Sequence, residues 1–182
     1  ARAGDSSRYL FSLQVVISGA KDAAAAQCDK LAAQGFRVAH LPVSGAFHTP
    51  LMEGASRDFG AALKQLQPAF KPSGGTKVYS NVTGEIAYQR GGASSVDTLS
   101  KHMVSGVEWV KQVRAMYRDG ARVFVEFGPR STLTKFVEKI LGASDDAIHV
   151  CVNASKDKSS DLQLREAAVQ LSVFGVPLAN FD

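Results

Sequence analysis

Long hydrophobic runs are missing from this sequence. No stretch of its 182 residues approaches the roughly 18–20 apolar residues of a membrane-spanning helix. The opening ARAGDSSRYLFS has no apolar core of the kind a secretory leader carries, and it lacks an initiator Met. A piece of a longer cytoplasmic polypeptide is the expectation. Cysteine is scarce. Cys28 and Cys151 stand far apart, without the paired spacing of a disulfide framework, and read as reduced thiols. Clustered charge is missing too. The net charge is +4, but Lys and Arg are scattered, and the densest run, SKDKSS (155–160), is diluted by Asp and Ser. A basic balance without a patch or an aromatic platform does not indicate nucleic acid, although it can help attract a small anionic substrate. The four histidines, His40, His48, His102 and His149, have none of the short spacings of a zinc motif, and neither cysteine falls near one in such a pattern. No resident metal or other bound cofactor is expected.

What is present is a globular composition, 45% hydrophobic and 21% charged, with alternating helix-like and strand-like segments. SLQVVISG (12–19) predicts a buried strand. KDAAAAQCDKLAAQG (21–35) predicts a helix with Ala24, Cys28, Leu31 and Ala32 on one face and Gly35 as its stop. FRVAHLPV (36–43) predicts the next strand, which would complete a βαβ or split-βαβ unit. Beyond His48, Thr49 suits an N-cap and Pro50 a first helical position. Leu51, Ala55, Phe59, Ala62, Leu63 and Leu66 then keep a helical period to about Gln67. PAFKPSGG (68–75) and RGGASS (90–95) read as loops, and KVYSNVTGE (77–85) as a strand and turn.

The second half repeats the alternation. SGVEWVKQVRAMYRDG (105–120) is an amphipathic helix with Val110, Val113 and Tyr117 inward. ARVFVEFG (121–128) is an apolar strand of the kind covered on both faces. STLTKFVEKILG (131–142) gathers Leu133, Phe136, Val137, Ile140 and Leu141 on one side. AIHVCVN (147–153) is a strand, and DLQLREAAVQLSVFG (161–175) is a helix capped by Asp161 and stopped by Gly175. The class is α/β.

One histidine stands out. His40 and His149 fall within strand-like runs and read as satisfied or edge residues. His48 follows a strand-like run and precedes a helix start, whose positive end would favour a neutral ring. A neutral imidazole suits a general base; a structural histidine is the other reading. A histidine base usually serves a Ser or Cys nucleophile, and an α/β fold would present it in Gly-x-Ser-x-Gly. No such elbow occurs: GDSSR (4–8), ISGAK (17–21) and VSGAF (43–47) all fail the spacing.

VSGAFHTPLM (43–52) resembles the acyltransferase domains that load malonyl groups onto acyl carrier proteins in fatty acid and polyketide synthases. QVVISG, VYSNVTGE, KHMVSGVEWVKQV and FVEFGPRSTLTKFV follow in the family's order, and DLQLREAAVQLSVFGVPL is similar to the domain's end in polyunsaturated fatty acid synthases. The resemblance runs from about Gln14 to the C-terminus. It implies the later part of an α/β-hydrolase-like acyltransferase subdomain (45–182), part of a ferredoxin-like small subdomain (14–44), and a divergent or junction segment (1–13). RYLFSLQ there departs from the family's Asn-rich, Ser-Pro turn.

The resemblance also implies a chemistry. A Ser attacks the malonyl-CoA thioester while a His removes its proton. The acyl group then passes to the phosphopantetheine thiol of an acyl carrier protein. His48 matches that catalytic His. Phe47 matches a position whose bulk narrows the pocket, and Ala46-Phe47-His48 is the pattern associated with malonyl over methylmalonyl. His102 matches a position whose backbone carbonyl is expected to hold the catalytic ring. The family's nucleophilic Ser, its malonyl-binding Arg and its oxyanion-hole loop all fall upstream of the matched region, so the isolated chain is expected to be inactive. A non-catalytic module docking carrier protein or neighbouring synthase domains is an alternative, with Lys111, Arg114, Arg118 and Arg122 as its cations. A hydrolase of similar fold is another.

A hydrolase-like sheet without its earlier strands would leave RVFVEFG with an apolar edge exposed. The chain alone is therefore expected to be poorly stable or to associate, with a broad thermal transition or a sedimentation coefficient that rises with concentration. A sharp, concentration-independent thermal transition of a monomer would contradict this.

Overall fold

The computed structural model describes residues 8–11, 14–72, 74–142 and 146–179. Residues 1–7 and 12–13 of the expected junction segment, and most of GDSSR, lie outside the described residues. Strands and helices make an α/β chain that divides into two compact units, Ala1–Gln112 and Val113–Asp182. No helix among the described residues is long and apolar enough to cross a membrane.

In the first unit, β1 (Arg8–Phe11) pairs antiparallel with β2 (Gln14–Val16), in a register that shifts between Tyr9 and Phe11. α1 (Lys21–Ala33) follows the alanine run, with Asp22 and Lys30 at the ends that suit the helix dipole. Ala24, Cys28 and Leu31 are half-buried on one face, while Ala32 is exposed. The helix stops as predicted. Phe36 N–H donates to Leu31 O (3.1 Å) and Gly35 N–H to Ala32 O (3.0 Å), closing the last turn through Gly35.

The next expectation fails. Residues 36–43 form no strand and complete no βαβ unit. A strand needs a ladder partner, and none pairs with this run. Pro42 has no N–H to offer, and Val43 N–H bonds locally to Leu41 O (2.9 Å). Phe36, Leu41 and Val43 are consequently exposed.

A 3-10 turn (Pro50–Met52) leads into α2 (Glu53–Gln65). The residues that keep the helical period lie mostly on the outward side of α2. Leu51, Ala55, Phe59, Ala62 and Leu66 are exposed, and the covered stripe is Met52, Ser56, Gly60, Leu63 and Gln67. Close approach decides this. Ser56 Oγ donates to Ser100 O (2.6 Å), and a Cβ on Gly60 would lie 2.9 Å from Ser100 Oγ. Ser100 ends α3 (Gly92–Ser100), a helix where the sequence reads as a loop up to residue 95. The Gly pair disguises its start. Gly91 has φ +63°, and a Cβ there would meet Phe70 O at 2.6 Å, so only glycine admits this entry. Val96, 2% exposed, then anchors α3 in the core.

The strand and turn at 77–85 appear as a hairpin, β3 (Val78–Tyr79) with β4 (Ile86–Ala87). α4 (Trp109–Arg118) has the predicted inward side. Val113 is fully buried, and Val110 and Tyr117 are half-buried. Its N-terminal end is tied to the hairpin by Glu108 N–H to Asn81 O (2.8 Å) and Gln112 Nε2 to Tyr79 O (3.1 Å).

The second unit contains β5 (Val123–Glu126), α5 (Thr132–Leu141), β6 (Ile148–Cys151) and α6 (Ser160–Val173). β5 and β6 pair in parallel, so β5–α5–β6 is a βαβ crossover. Val137, Ile140, Val150, Ala167 and Ala168 are among its buried apolar residues. β5 is half-buried along its length rather than covered on both faces, and Leu133 of α5 is exposed. Asp161 lies inside the first turn of α6 rather than at its cap, where it pairs with Arg165 at 3.1 Å.

The start of α5 is stabilised from the end of β5. Glu126 accepts from Leu133 N–H (3.1 Å), Thr134 N–H (2.7 Å) and Thr134 Oγ1 (2.6 Å). Partial burial pushes this carboxyl up. The donors of Thr134, Leu133 and Thr132 outweigh that and hold it below the ordinary 4.5. A carboxylate on orphan helix N–H groups is well placed for the dipole. Its folded value is depressed, so its stabilisation is present above the unfolded value and is lost as pH falls through the folded one. Glu126→Gln should therefore cost about 1–2 kcal/mol at pH 7. Urea titrations should show this gap closing below pH 4.5; a gap that is constant with pH would contradict the assignment.

Candidate functional site

The local sequence around His48 folds into a tight corner. Thr49, 2% exposed, takes the N-cap position of the 3-10 turn with Pro50 at its start, as expected, but its side chain makes no capping bond. Its hydroxyl donates to Ala46 O (2.7 Å), drawing residues 46–49 together. Ser18 Oγ reaches Phe47 O (3.0 Å). The Phe47 ring lies against Gly45 and is 40% exposed, while Ala46 is half-buried. His48 takes φ +67°, a left-handed conformation that costs a non-glycine residue about 1–3 kcal/mol.

That conformation is held from one short turn. The 3-10 turn Lys101–Met103 uses the Lys101 carbonyl internally, accepting from Val104 and Ser105 N–H. The next two carbonyls meet His48: its backbone N–H donates to Met103 O (2.7 Å), and Nδ1 lies 2.8 Å from His102 O. A carbonyl oxygen only accepts, so this contact places the ring proton on Nδ1 and leaves the Nε2 lone pair available. The helix expected immediately after His48 begins only at Glu53, beyond the 3-10 turn.

The His102 side chain points into a second set of contacts. Tyr88 Oη and His102 Nε2 are 2.8 Å apart, and the Ser80 hydroxyl is 3.4 Å from the same nitrogen. Burial, and then the neighbouring His48, lower the His102 pKa below 6.5, so its ring is neutral at physiological pH. Sequence reasoning singled out His102 for its carbonyl alone. It missed Tyr88 and Ser80, which sit beside a hairpin whose motif residues carry no marker of this contact.

The other candidates are dispersed. His40 is exposed in the strandless segment. His149 lies in β6 with its ring 5.9 Å from Phe124. Its buried Nε2 has no hydrogen-bond partner among the described residues, so of the two readings, satisfied or edge, the strand pair supports the edge one. A cavity of about 280 Å³ in the second unit is lined by His149, Cys151, Lys158, Gln163 and Glu166, among others. It assembles no nucleophile and base: Cys151 Sγ donates to Arg130 O (3.0 Å), and Lys158 pairs with Glu166 at 3.2 Å. Cys28 and Cys151 are unpaired and half-buried. No cluster of three or more metal-ligating side chains occurs among the described residues. Of the four candidate docking cations, Lys111 bonds Thr83 O (2.7 Å), Arg118 pairs with Asp119, and Arg122 pairs with Asp146 and lies over the Tyr117 ring. Arg114 is exposed. Such surface pairs are weak, about 0–1 kcal/mol, and do not lock these side chains away.

No family model matches the chain. It is 44% identical over 170 residues to a polyunsaturated fatty acid synthase chain of Thraustochytrium sp., covering 93% of this chain and 6% of that protein. A phenolphthiocerol synthesis type I polyketide synthase of Mycobacterium marinum is 39% identical over 134 residues, covering 74% and 6%. The malonyl CoA-acyl carrier protein transacylase of Bacillus subtilis is 29% identical over 161 residues, covering 84% and 39%. The chain thus spans well under half the length of each of these relatives. Among solved structures, the acyltransferase domain from the second module of the salinomycin polyketide synthase superposes with a TM-score of 0.74 at 27% identity, covering 90% of this chain and 37% of that one. A malonyl-transacylase in complex with a type II polyketide acyl-carrier protein shares the fold, with a TM-score of 0.70 at 23% identity over 90% of this chain and 48% of that one.

The His102 ring supplies a pH signature. Its folded pKa lies below that of the unfolded chain, so the unfolded state binds more protons just below 6.5 and stability falls as pH drops through that window. The urea midpoint should fall between pH 8 and pH 5.5, and more steeply than in His102→Gln. Equal slopes would contradict a neutral, partly buried ring.

Proposed function

We propose, from the premise that this chain is a segment of an acyltransferase domain of the polyunsaturated fatty acid and polyketide synthases, that His48 is the general base of malonyl transfer from CoA to an acyl carrier protein. The observation that carries this reading is the pair of bonds from His48 to the 102 and 103 carbonyls, which leaves Nε2 as the free basic atom. In the first step, Nε2 accepts the proton of a Ser hydroxyl as its oxygen attacks the malonyl thioester. The C–S bond breaks, and the proton passes to the departing CoA sulfur. In the second step, Nε2 accepts the proton of the phosphopantetheine thiol, whose sulfur attacks the acyl-Ser ester. The proton returns to the Ser oxygen as that ester bond breaks. On this reading the Ser comes from sequence upstream of the segment. Residues 14–44 belong to the small subdomain and 45–182 to the hydrolase-like one.

Phe47 and Ala46 shape the pocket beside the base. The Phe47 ring, against Gly45, takes space that an α-methyl on the acyl group would need. One methyl is worth about 1–3 kcal/mol of discrimination, so malonyl preference is a matter of tens-fold rather than exclusion. The relatives named as transacylases support malonyl-CoA and a carrier protein as substrates. Exposed Arg114 and its neighbours on α4 suit an acidic carrier surface. No bound cofactor enters the scheme: CoA is the leaving group, and phosphopantetheine arrives on the carrier.

In the full-length synthase, His48→Ala should lower malonyl loading of the carrier by about 10²–10⁴-fold. Phe47→Ala should narrow the malonyl-to-methylmalonyl ratio of kcat/KM by about tenfold or more while loading continues. Radiolabelled transfer assays measure both. Undiminished loading in His48→Ala would remove the proposed base.

A further inference from the structure

His102 does two things at once. Its carbonyl holds the His48 ring, and its own imidazole is gripped from the other side by the β3–β4 hairpin. The grip comes from both flanks of that hairpin. Ser80, directly after β3, is 1% exposed, and its Oγ accepts from Val82 N–H at 3.2 Å. Tyr88, directly after β4, brings its hydroxyl to 2.8 Å from His102 Nε2 and 3.5 Å from Ser80 Oγ. Hydrogen bonds therefore tie a buried serine and Tyr88 to the His102 ring, while the backbone carbonyl of the same residue holds His48.

Backbone strain falls on the same set of contacts. Among the described residues, three that are not glycine have positive φ: His48 (67°), Tyr88 (65°) and Arg130 (72°). Two of these three stand at the two ends of the Tyr88–His102–His48 connection. An aromatic side chain gains nothing locally from the left-handed region. Tyr88 holds that conformation while its hydroxyl sits on His102. Strain that persists at a contact of this kind points to a positional requirement.

We infer that Tyr88 is a positioning residue, whose hydroxyl fixes the His102 ring and thereby the Lys101–Met103 turn that holds His48 with its proton on Nδ1. The inference rests on the reading of His48 as the base. The Tyr88 hydroxyl contacts Ser80 and the His102 ring, not His48 itself. It acts by keeping two backbone carbonyls where the His48 backbone N–H and Nδ1 meet them. A neutral His102 suits this task, because a charged ring there would oppose the proton that His48 takes up in each step.

The test separates this inference from the reading beneath it. Solid-state ¹⁵N spectra of the histidine-labelled chain, with the His48 signals assigned by their loss in His48→Ala, report the ring tautomer whether or not the chain associates. The unsubstituted chain should show the Nδ1–H form. Tyr88→Phe, which keeps the ring and removes one oxygen, should give a mixture of tautomers. His102→Leu should do the same although its carbonyl remains, and His102→Gln, which retains a side-chain partner for Tyr88, should keep most of the Nδ1–H form. In the full-length synthase, Tyr88→Phe should lower kcat for malonyl loading about tenfold with little change in KM. An unaltered His48 tautomer in both Tyr88→Phe and His102→Leu would overturn the inference, whatever the activity. Full activity in His48→Ala would instead overturn the base assignment, and the tautomer spectra would still decide whether Tyr88 positions the ring.

Discussion

Two consecutive carbonyls, those of His102 and Met103, hold His48, and the local structure of the first unit is arranged around that contact. His48 and His102 lie 54 residues apart in sequence. α2 must bring its Ser56–Gly60 face against the end of α3, because the turn carrying the two carbonyls follows Ser100 directly. Gly60 and Ser56 are small for that reason. The hairpin then steadies the turn from behind through Tyr88 and Ser80. Each bond is worth only about 1 kcal/mol net. Together they hold a ring whose backbone would otherwise leave the left-handed region.

The second unit obeys a different constraint. Its parallel strand pair needs a crossover helix, and Glu126 at the end of β5 supplies the acceptors that start it. Gln163 plays a matching part at the start of α6. Its side-chain oxygen accepts from Ser155 N–H (2.7 Å), and its amide donates to Asn153 Oδ1 (3.0 Å) and Ser155 O (2.9 Å). Polar side chains rather than a thick apolar core set these junctions. Large apolar groups stay outside in both units, among them Leu51 and Val43 in one and Phe127, 80% exposed, and Val173 in the other.

Much of the fold was legible in the sequence where periodicity and stop signals agreed. The helices at 109–118, 132–141 and 160–173, the hairpin, and the Gly35 stop were all readable in this way. The failures share a cause: each was decided by a partner that local pattern does not reveal. Residues 36–43 have strand composition but no ladder. The apolar period of α2 turns mostly outward, because α3 packs on the small-residue side. α3 itself hid behind Gly91 and Gly92, which read as a loop. For the proposed site, Phe47 and His48 were singled out through a motif. The roles of Tyr88 and Ser80 depend on tertiary approach alone.

On the proposed reading, labour is divided: this segment brings the base and part of the acyl pocket, and the nucleophile arrives from sequence outside it. Intact mass of the 182-residue chain after incubation with malonyl-CoA tests this most directly. The account predicts no adduct on the chain alone, and a single malonyl adduct once the upstream half of the domain is supplied. A malonyl adduct on the chain by itself, lost when His48 is replaced by Ala, would contradict it and reveal a nucleophile within these residues.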